Sequence, residues 1–169
     1  MSFPEKNEII ILIIAFVVAS IFNYFLSGWL TTIIFRSDNK NEVFLLSGKC
    51  VCDYCGSKIP SIYTLPIIGI KLLHNKTKCC NKEINYYSKY ELKFIIVETI
   101  ILILFGLNPL ICGIISFILS IFMLIHDIKD MGIKEINKLN FILGCLSLLL
   151  CYIVYTASLA IWILLKNCI

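Results

Sequence analysis

Charged residues are scarce in this sequence. They make up 15% of its 169 residues, whereas apolar residues make up 59% and the mean hydropathy is +0.91. A soluble globular domain carries about 25% charged residues, so this composition excludes that class and indicates an integral membrane protein. Interleaved basic and aromatic residues are also lacking, and the net charge of +4 therefore gives no reason to expect a nucleic-acid partner.

The first apolar run lacks the features of a cleaved signal peptide. Its leading residues, MSFPEKNE, carry two Glu against one Lys, and no small-x-small cleavage site ends the run. A signal peptide has a basic start and such a site. We therefore interpret the run as a retained membrane anchor.

Long apolar runs predict an all-α membrane protein with about four transmembrane helices. The runs cover residues 9–35, 94–107, 110–125 and 139–165. A helix needs about 20 residues to cross the hydrocarbon core, so the first and last runs are long enough and the middle two are short. Asn108-Pro109 predicts a tight hairpin between the middle runs. The last run is either one long tilted helix or two helices broken near Thr156-Ala157-Ser158.

The runs divide the chain into three segments. We predict a transmembrane anchor over 1–35, a Cys-rich loop over 36–93, and a membrane bundle over 94–169 that carries an Asp-containing segment at 127–137. The loop holds ten Lys or Arg against five acids. Basic segments stay in the cytoplasm. We therefore expect the loop and the Asp-containing segment to lie on the cytoplasmic side of the cell membrane and the N-terminus to lie on the outer side.

The nine cysteines form two groups. One group is scattered in apolar runs, where thiols pack as small hydrophobes: Cys112, Cys145, Cys151 and Cys168. The other group is clustered in the loop that we predict to be cytoplasmic: Cys50, Cys52, Cys55, Cys79 and Cys80. Disulfides are rare in that compartment, so the clustered thiols indicate a metal site or a redox role.

The clustered cysteines predict a tetrahedral zinc site. Cys52-x-x-Cys55 followed by Gly56 has the spacing of a zinc knuckle. The second half is less regular, because Cys79 and Cys80 are adjacent, which favours diverging side chains, and Thr77 stands where a second Cys-x-x-Cys would begin. The predicted ligands are Cys52, Cys55, Cys79 and Cys80, with Cys50 or His74 as replacements for one of them. Reduced free thiols and a redox pair remain alternatives.

Four stretches of the chain resemble the type IV prepilin peptidases. These are membrane aspartic proteases that remove the leader from prepilins and competence pseudopilins, and many also methylate the new N-terminus. The stretches are SGWLTTIIFR at 27–36, CDYCGSKIPSIYTLPIIG at 52–69, CNKEINYYSKYEL at 80–92 and MLIHDIKDMGIKEINKLN at 123–140.

The resemblance assigns Asp127 the role of the first catalytic aspartate, with Asp130 as the alternative if the register slips. An aspartic protease needs two carboxylates that share a proton. The family's second aspartate lies in a Gly-x-Gly-Asp motif, which this sequence lacks. Two alternatives remain for the pair: Asp127 with Asp130, at i and i+3 of one helix, or Asp127 with Glu98. Without the resemblance, the whole segment reads as a solvated loop.

The resemblance also implies substrates and cofactors. Glu91 and Glu98 are expected to contact the basic residues of a prepilin or pseudopilin leader, and the apolar stem of the leader would lie in the bilayer. An N-methyltransferase activity would require S-adenosylmethionine, although no glycine-rich loop is present. The alternative is a truncated, inactive relative that serves as a zinc-binding membrane scaffold. The sequence leaves the oligomeric state undetermined.

Overall fold

Apolar sequence of this length forms long helices. The computed structural model describes residues 6–38, 44–45, 51–52, 54–74, 76–83 and 85–168. Its helices are α1 (Lys6–Arg36), a 3-10 helix (Ser61–Thr64), α2 (Ile68–Leu72), α3 (Asn85–Phe105), α4 (Pro109–Asp130) and α5 (Lys138–Cys168). α1 packs against α3 and α5, and α4 packs against the same two helices. A mostly helical fold is therefore confirmed.

Three of the helices are long and apolar enough to cross a membrane. These segments are Ile9–Arg36, Pro109–Asp130 and Lys138–Leu164. Many of their large apolar side chains point away from the bundle, as Ile13, Phe122 and Leu150 do. Such an apolar outer surface suits a lipid environment.

α3 differs from the other long helices in its charge. It carries Lys89, Glu91, Lys93 and Glu98, and it is not among the three candidate spans. The fourth span predicted at 94–107 therefore stays a prediction, as does the orientation of the chain across the membrane.

The turn between α3 and α4 follows from two residues. Asn108 precedes the first turn of α4, and its side chain accepts a hydrogen bond from the Ile111 N–H at 3.3 Å. Pro109 starts the helix, where its missing N–H costs nothing. The predicted hairpin is confirmed.

α5 passes through Thr156-Ala157-Ser158 without a break. The Thr156 and Ser158 hydroxyls donate to the carbonyls of Tyr152 and Val154, one turn earlier, at 2.7 and 2.8 Å. Polar side chains that bond within their own helix need no break in it. Of the two alternatives for the last apolar run, the single long helix is correct.

The helices approach closely where glycines face a neighbouring helix. Gly144 of α5 lies against the Ile33 side chain of α1, and Gly113 of α4 lies against Thr156 of α5. A Cβ atom at either glycine would collide with those side chains. Small residues at helix contacts are typical of membrane bundles. They bring α1 and α4 against α5 and so define the core around Ile33, Leu124 and Leu148.

Asn140 joins the end of α1 to the start of α5. Its side-chain N–H donates to the Arg36 carbonyl at 2.8 Å, and its Oδ1 accepts from the Leu45 N–H at 3.1 Å. The Arg36 guanidinium in turn donates to the carbonyls of Phe44 and Leu45. These bonds satisfy backbone groups that the end of a helix leaves open. They hold together the end of the bundle to which the last turns of α4 belong.

We expect Asn140→Ala to lower the free energy of unfolding by about 1–3 kcal/mol, because it strands the buried Leu45 N–H and the Arg36 carbonyl. For a chain of this size that corresponds to a fall of about 3–9 °C in Tm. Thermal unfolding in detergent measures it. Ser158→Ala, which removes an exposed hydroxyl, is the matched control. If the Tm of Asn140→Ala equals that of the control, Asn140 does not stabilise the junction between α1 and α5.

Candidate functional site

The two cysteine segments of the loop fold into the same turn. In the first, the Gly56 N–H donates to the Cys52 carbonyl at 2.9 Å, and the Cys52 N–H donates to the Ser57 carbonyl at 2.8 Å. In the second, the Asn81 N–H donates to the Thr77 carbonyl at 2.9 Å, and the Thr77 N–H donates to the Lys82 carbonyl at 2.7 Å. The loop is therefore built from two knuckle-like turns.

Residues at equivalent places in the two turns explain why the second motif is irregular. Gly56 and Asn81 have φ of 69° and 55°, a region that glycine and asparagine tolerate best. Thr77 occupies the place of Cys52. Its hydroxyl accepts the Lys82 N–H at 2.9 Å and lies 3.0 Å from the Cys80 sulfur. Thr77 thus shapes the turn, and a neighbouring cysteine has to supply the missing sulfur.

Four sulfurs converge between the two turns. The sulfurs of Cys52, Cys55, Cys79 and Cys80 all lie within 4.8 Å of one another. The Cys52–Cys80, Cys55–Cys79 and Cys79–Cys80 distances are 3.6, 3.2 and 3.9 Å. Four thiolates about 2.3 Å from a tetrahedral zinc ion are about 3.8 Å apart. The expected divergence of Cys79 and Cys80 is wrong, and the cluster has the dimensions of a zinc site.

The proposed alternative ligands have different outcomes. His74 is not part of the four-sulfur cluster, and Cys50 lies outside the described residues. Hydrogen bonding with Ser57 lowers the pKa of Cys55 to about 6, whereas the hydrogen bond with Cys55 raises the pKa of Cys79 to about 12. The lowered pKa favours the thiolate form of Cys55, which is the form that binds metal.

We expect the purified protein to contain about one equivalent of zinc, and we expect Cys52→Ser and Cys80→Ser to lose it because three sulfurs no longer close the tetrahedron. Elemental analysis by mass spectrometry measures the metal. Cys145→Ser, in α5 and outside the cluster, should keep the zinc. A wild-type content below about half an equivalent would count against the site.

Asp127 lies on the last turns of α4 and is completely buried. Its Oδ1 accepts a hydrogen bond from the Lys93 ammonium of α3 and lies 3.0 Å from Nδ1 of His126. Its Oδ2 has no hydrogen-bond partner among the described residues. The carboxylate is thus held inside the bundle, and the solvated-loop interpretation does not apply to it.

Asp130 lies one turn further along and binds other residues of α3. Its Oδ2 accepts hydrogen bonds from the Lys89 ammonium at 3.0 Å and the Tyr90 hydroxyl at 2.9 Å. Asp130 is partly exposed, with 40% of its side chain accessible. The two aspartates therefore hold α4 to α3 through separate partners, and neither hydrogen-bonds to the other.

Lys89, Tyr90 and Lys93 were not identified as site residues from the sequence. Lys93 lies four residues after Lys89 and three after Tyr90, so it is a neighbour of each on the surface of α3. The four-residue spacing of two lysines just before an apolar run was the available signal. It does not reveal which acids these lysines meet, because that depends on the packing of α3 against α4.

Glu91 lies on α3 beside the cysteine loop. Its Oε2 accepts the Ile67 N–H at 2.6 Å, and Ile67 has a φ of 56°, a conformation that is costly for a branched residue. The carboxylate also lines a cavity of about 370 Å³ between α1 and the loop. Other residues lining this cavity are Thr31, Arg36, Lys58, Tyr63 and Cys79. The volume is within the range of small-ligand sites.

Glu98 lies elsewhere, in the interior of the bundle. Its Oε1 accepts hydrogen bonds from the Ser120 and Tyr152 hydroxyls at 3.3 and 3.0 Å. Ser120 and Asp127 are seven residues apart on α4, which corresponds to about 10 Å along the helix. The structure therefore does not bring Glu98 to Asp127, and the substrate contact predicted for Glu98 stays a prediction.

The buried carboxyl group of Glu91 should make the free energy of unfolding depend on pH. It precedes the apolar part of α3, and burial raises its pKa from 4.5 to about 7, against an opposing hydrogen bond from the Ile67 N–H. Between these pH values the folded state binds more protons than the unfolded state, so stability falls as pH rises. Relative to Glu91→Gln, we expect wild type to lose about 3 kcal/mol of unfolding free energy between about pH 4.5 and 7.

Denaturant unfolding at a series of pH values measures this loss. Glu83→Gln, which alters an exposed acid of the same loop, should keep the wild-type pH dependence. If wild type and Glu91→Gln have parallel pH profiles, the assignment of this dependence to Glu91 is wrong.

Comparison with known families gives one match. The family model described as the bacterial peptidase A24 N-terminal domain matches residues 17–111, more than half of the 169-residue chain. The matched segment contains most of α1, the cysteine loop and α3, and it ends before Asp127. Searches of curated proteins and of solved structures found no match.

Proposed function

Because the chain belongs to the family of bacterial A24 peptidases, the type IV prepilin peptidases, we propose that it is a membrane-embedded aspartic endopeptidase. Its substrates are the leader peptides of type IV prepilins or competence pseudopilins, cut at the cytoplasmic face of the membrane. In this proposal the N-terminus lies outside, the cysteine loop is cytoplasmic, and the apolar part of α3 at 94–107 is a fourth span.

One observation carries the proposal, and it is the environment of Asp127. The carboxylate is fully buried at the end of a candidate span, and its Oδ2 lacks a partner among the described residues. Buried acids in membrane proteins are costly and mark functional sites by default. An unpartnered oxygen is available to a water molecule or to the proton of a second acid.

The proposed chemistry divides the roles between two carboxylates. Asp127, which the Lys93 ammonium holds in place, is the base that activates water. Asp130 is the acid that donates to the scissile carbonyl. Residues at i and i+3 of a helix have Cβ atoms about 5–6 Å apart. To act as the acid, Asp130 would have to release Lys89 and Tyr90 when the peptide binds and take up a proton from solvent, to which it is partly exposed.

Glu91 is the proposed contact for a basic leader residue. It borders the cavity between α1 and the loop, and this cavity lies at the same end of α3 as Lys89 and Lys93. The apolar stem of the substrate would pack on the exposed apolar surface of the helices. Zinc in the four-sulfur cluster would hold the loop that closes the cavity. Methylation with S-adenosylmethionine remains a prediction from the family resemblance.

We expect Asp127→Asn to reduce leader cleavage by at least about 100-fold, since general acid–base groups contribute about 10²- to 10⁴-fold. Asp130→Asn should cause a comparable loss. The assay follows cleavage of a prepilin-like substrate in membranes by gel shift. Glu83→Gln, a carboxylate with no proposed role, should cleave at the wild-type rate. Full activity of Asp127→Asn would exclude Asp127 from the chemistry.

The second candidate function is a zinc-binding membrane scaffold without proteolysis. It is favoured by the Lys93–Asp127 ion pair and by the separate partners of Asp130, because together they leave no proton shared between two acids. The same assay distinguishes the candidates: absence of cleavage by a folded, zinc-loaded wild-type protein contradicts the peptidase and supports the scaffold.

A further inference from the structure

A second polar site lies in the middle of the bundle, away from Asp127. All four long helices contribute to it: Asn23 from α1, Glu98 from α3, Ser116 and Ser120 from α4, and Tyr152 from α5. Each of these side chains is at most 2% exposed. Asn23, Ser116, Ser120 and Tyr152 lie within the three candidate membrane spans, far from the ends of each.

Hydroxyl groups surround one oxygen of Glu98. The Tyr152 and Ser120 hydroxyls lie 3.0 and 3.3 Å from Oε1 and 2.6 Å from each other. The two hydroxyls therefore fix the position of this carboxylate oxygen inside the bundle.

The remaining polar atoms of this cluster are unsatisfied. Glu98 Oε2, Ser116 Oγ and both side-chain polar atoms of Asn23 have no hydrogen-bond partner among the described residues. Ser116 lies on the same face of α4 as Ser120, one turn away, and close to the Glu98 carboxylate. Asn23 lies close to Tyr155, whose ring is 6.1 Å from that of Tyr152. Buried polar groups without partners are rare and call for a ligand.

The cluster also lacks a positive charge. The ion pairs among the described residues engage Asp127 and Asp130, and none engages Glu98. An unpaired carboxylate inside a membrane bundle is costly. A ligand that carries one positive charge and is coordinated by several oxygen atoms would remove this cost.

We propose that this cluster is a binding site for a monovalent cation, Na⁺. The ligands are the Glu98 carboxylate and the Ser116 and Ser120 hydroxyls, and the unpartnered Asn23 amide lies beside Tyr155 at the edge of the site. Hard cations take oxygen ligands, and in secondary transporters the sites for coupling ions such as Na⁺ lie near the bilayer midplane between helices. A single carboxylate neutralises a monovalent cation but leaves excess charge on a divalent one. This role differs from the substrate contact that the sequence suggested for Glu98.

The test measures Na⁺ binding directly and through stability. Equilibrium binding of radioactive Na⁺ to the purified, detergent-solubilised chain should saturate near one ion per chain. Replacing choline chloride with NaCl at constant ionic strength should raise Tm by several degrees, to the extent that Na⁺ binds only the folded state. KCl should raise it less.

Variants assign the effect to the cluster. Glu98→Gln should abolish saturable Na⁺ binding and the Tm shift, and Ser116→Ala should weaken affinity by about tenfold. Ser158→Ala, which removes a hydroxyl on the exposed face of α5, should bind as wild type does. If circular dichroism shows that Glu98→Gln does not fold, Na⁺ binding by Ser116→Ala and Ser120→Ala decides whether the cluster is the site.

Three outcomes would overturn the proposal. The first is the absence of saturable Na⁺ binding by the folded wild type. The second is unchanged binding by folded Glu98→Gln, or by both serine variants. The third is a Tm that varies with pH but not with Na⁺, which would identify a protonated Glu98 and no cation site.

Discussion

Polar groups between these helices have to find their partners inside the bundle, because its outer surface is apolar. This requirement governs the buried polar contacts that join one helix to another. Asn140 meets the end of α1 and the following segment, and Lys93 meets Asp127. Where partners are missing, at Asp127 Oδ2 and around Glu98, the requirement points to a ligand or a reactant, and both proposals begin at those atoms.

The cysteine loop obeys a different constraint. It contains only short helices and isolated bridges among its described residues, so it buries little apolar surface of its own. Two knuckle-like turns bring four sulfurs together, and Glu91 fastens the loop to α3 through the Ile67 N–H. A metal at the sulfurs would supply folding free energy that the small core lacks. The cavity walls then depend on the metal site and on Glu91 together.

The prediction of local features succeeded where one segment carries the information. Apolar runs predicted the long helices, Asn108-Pro109 predicted the hairpin, and the Cys-x-x-Cys-Gly spacing predicted the first knuckle-like turn. The convergence of Cys79 with Cys80 was missed because the spacing shows Thr77 in the place of a cysteine but does not fix the directions of two adjacent side chains, which the fold of the turn decides. Lys93 was missed because an ion pair between helices depends on the rotation of each about its axis.

The sequence by itself determined the membrane character of the chain, its helical class, its family and the four cysteines, since composition, periodicity and motif spacing are properties of short segments. Only the tertiary structure decided that Asp127 is buried against Lys93, that Asp130 binds Lys89 and Tyr90, and that Glu98 lies among hydroxyls far from both. The physical reason is that the environment of a carboxylate is set by side chains from other helices. Their positions follow from close packing at residues such as Gly113 and Gly144, which no single segment encodes.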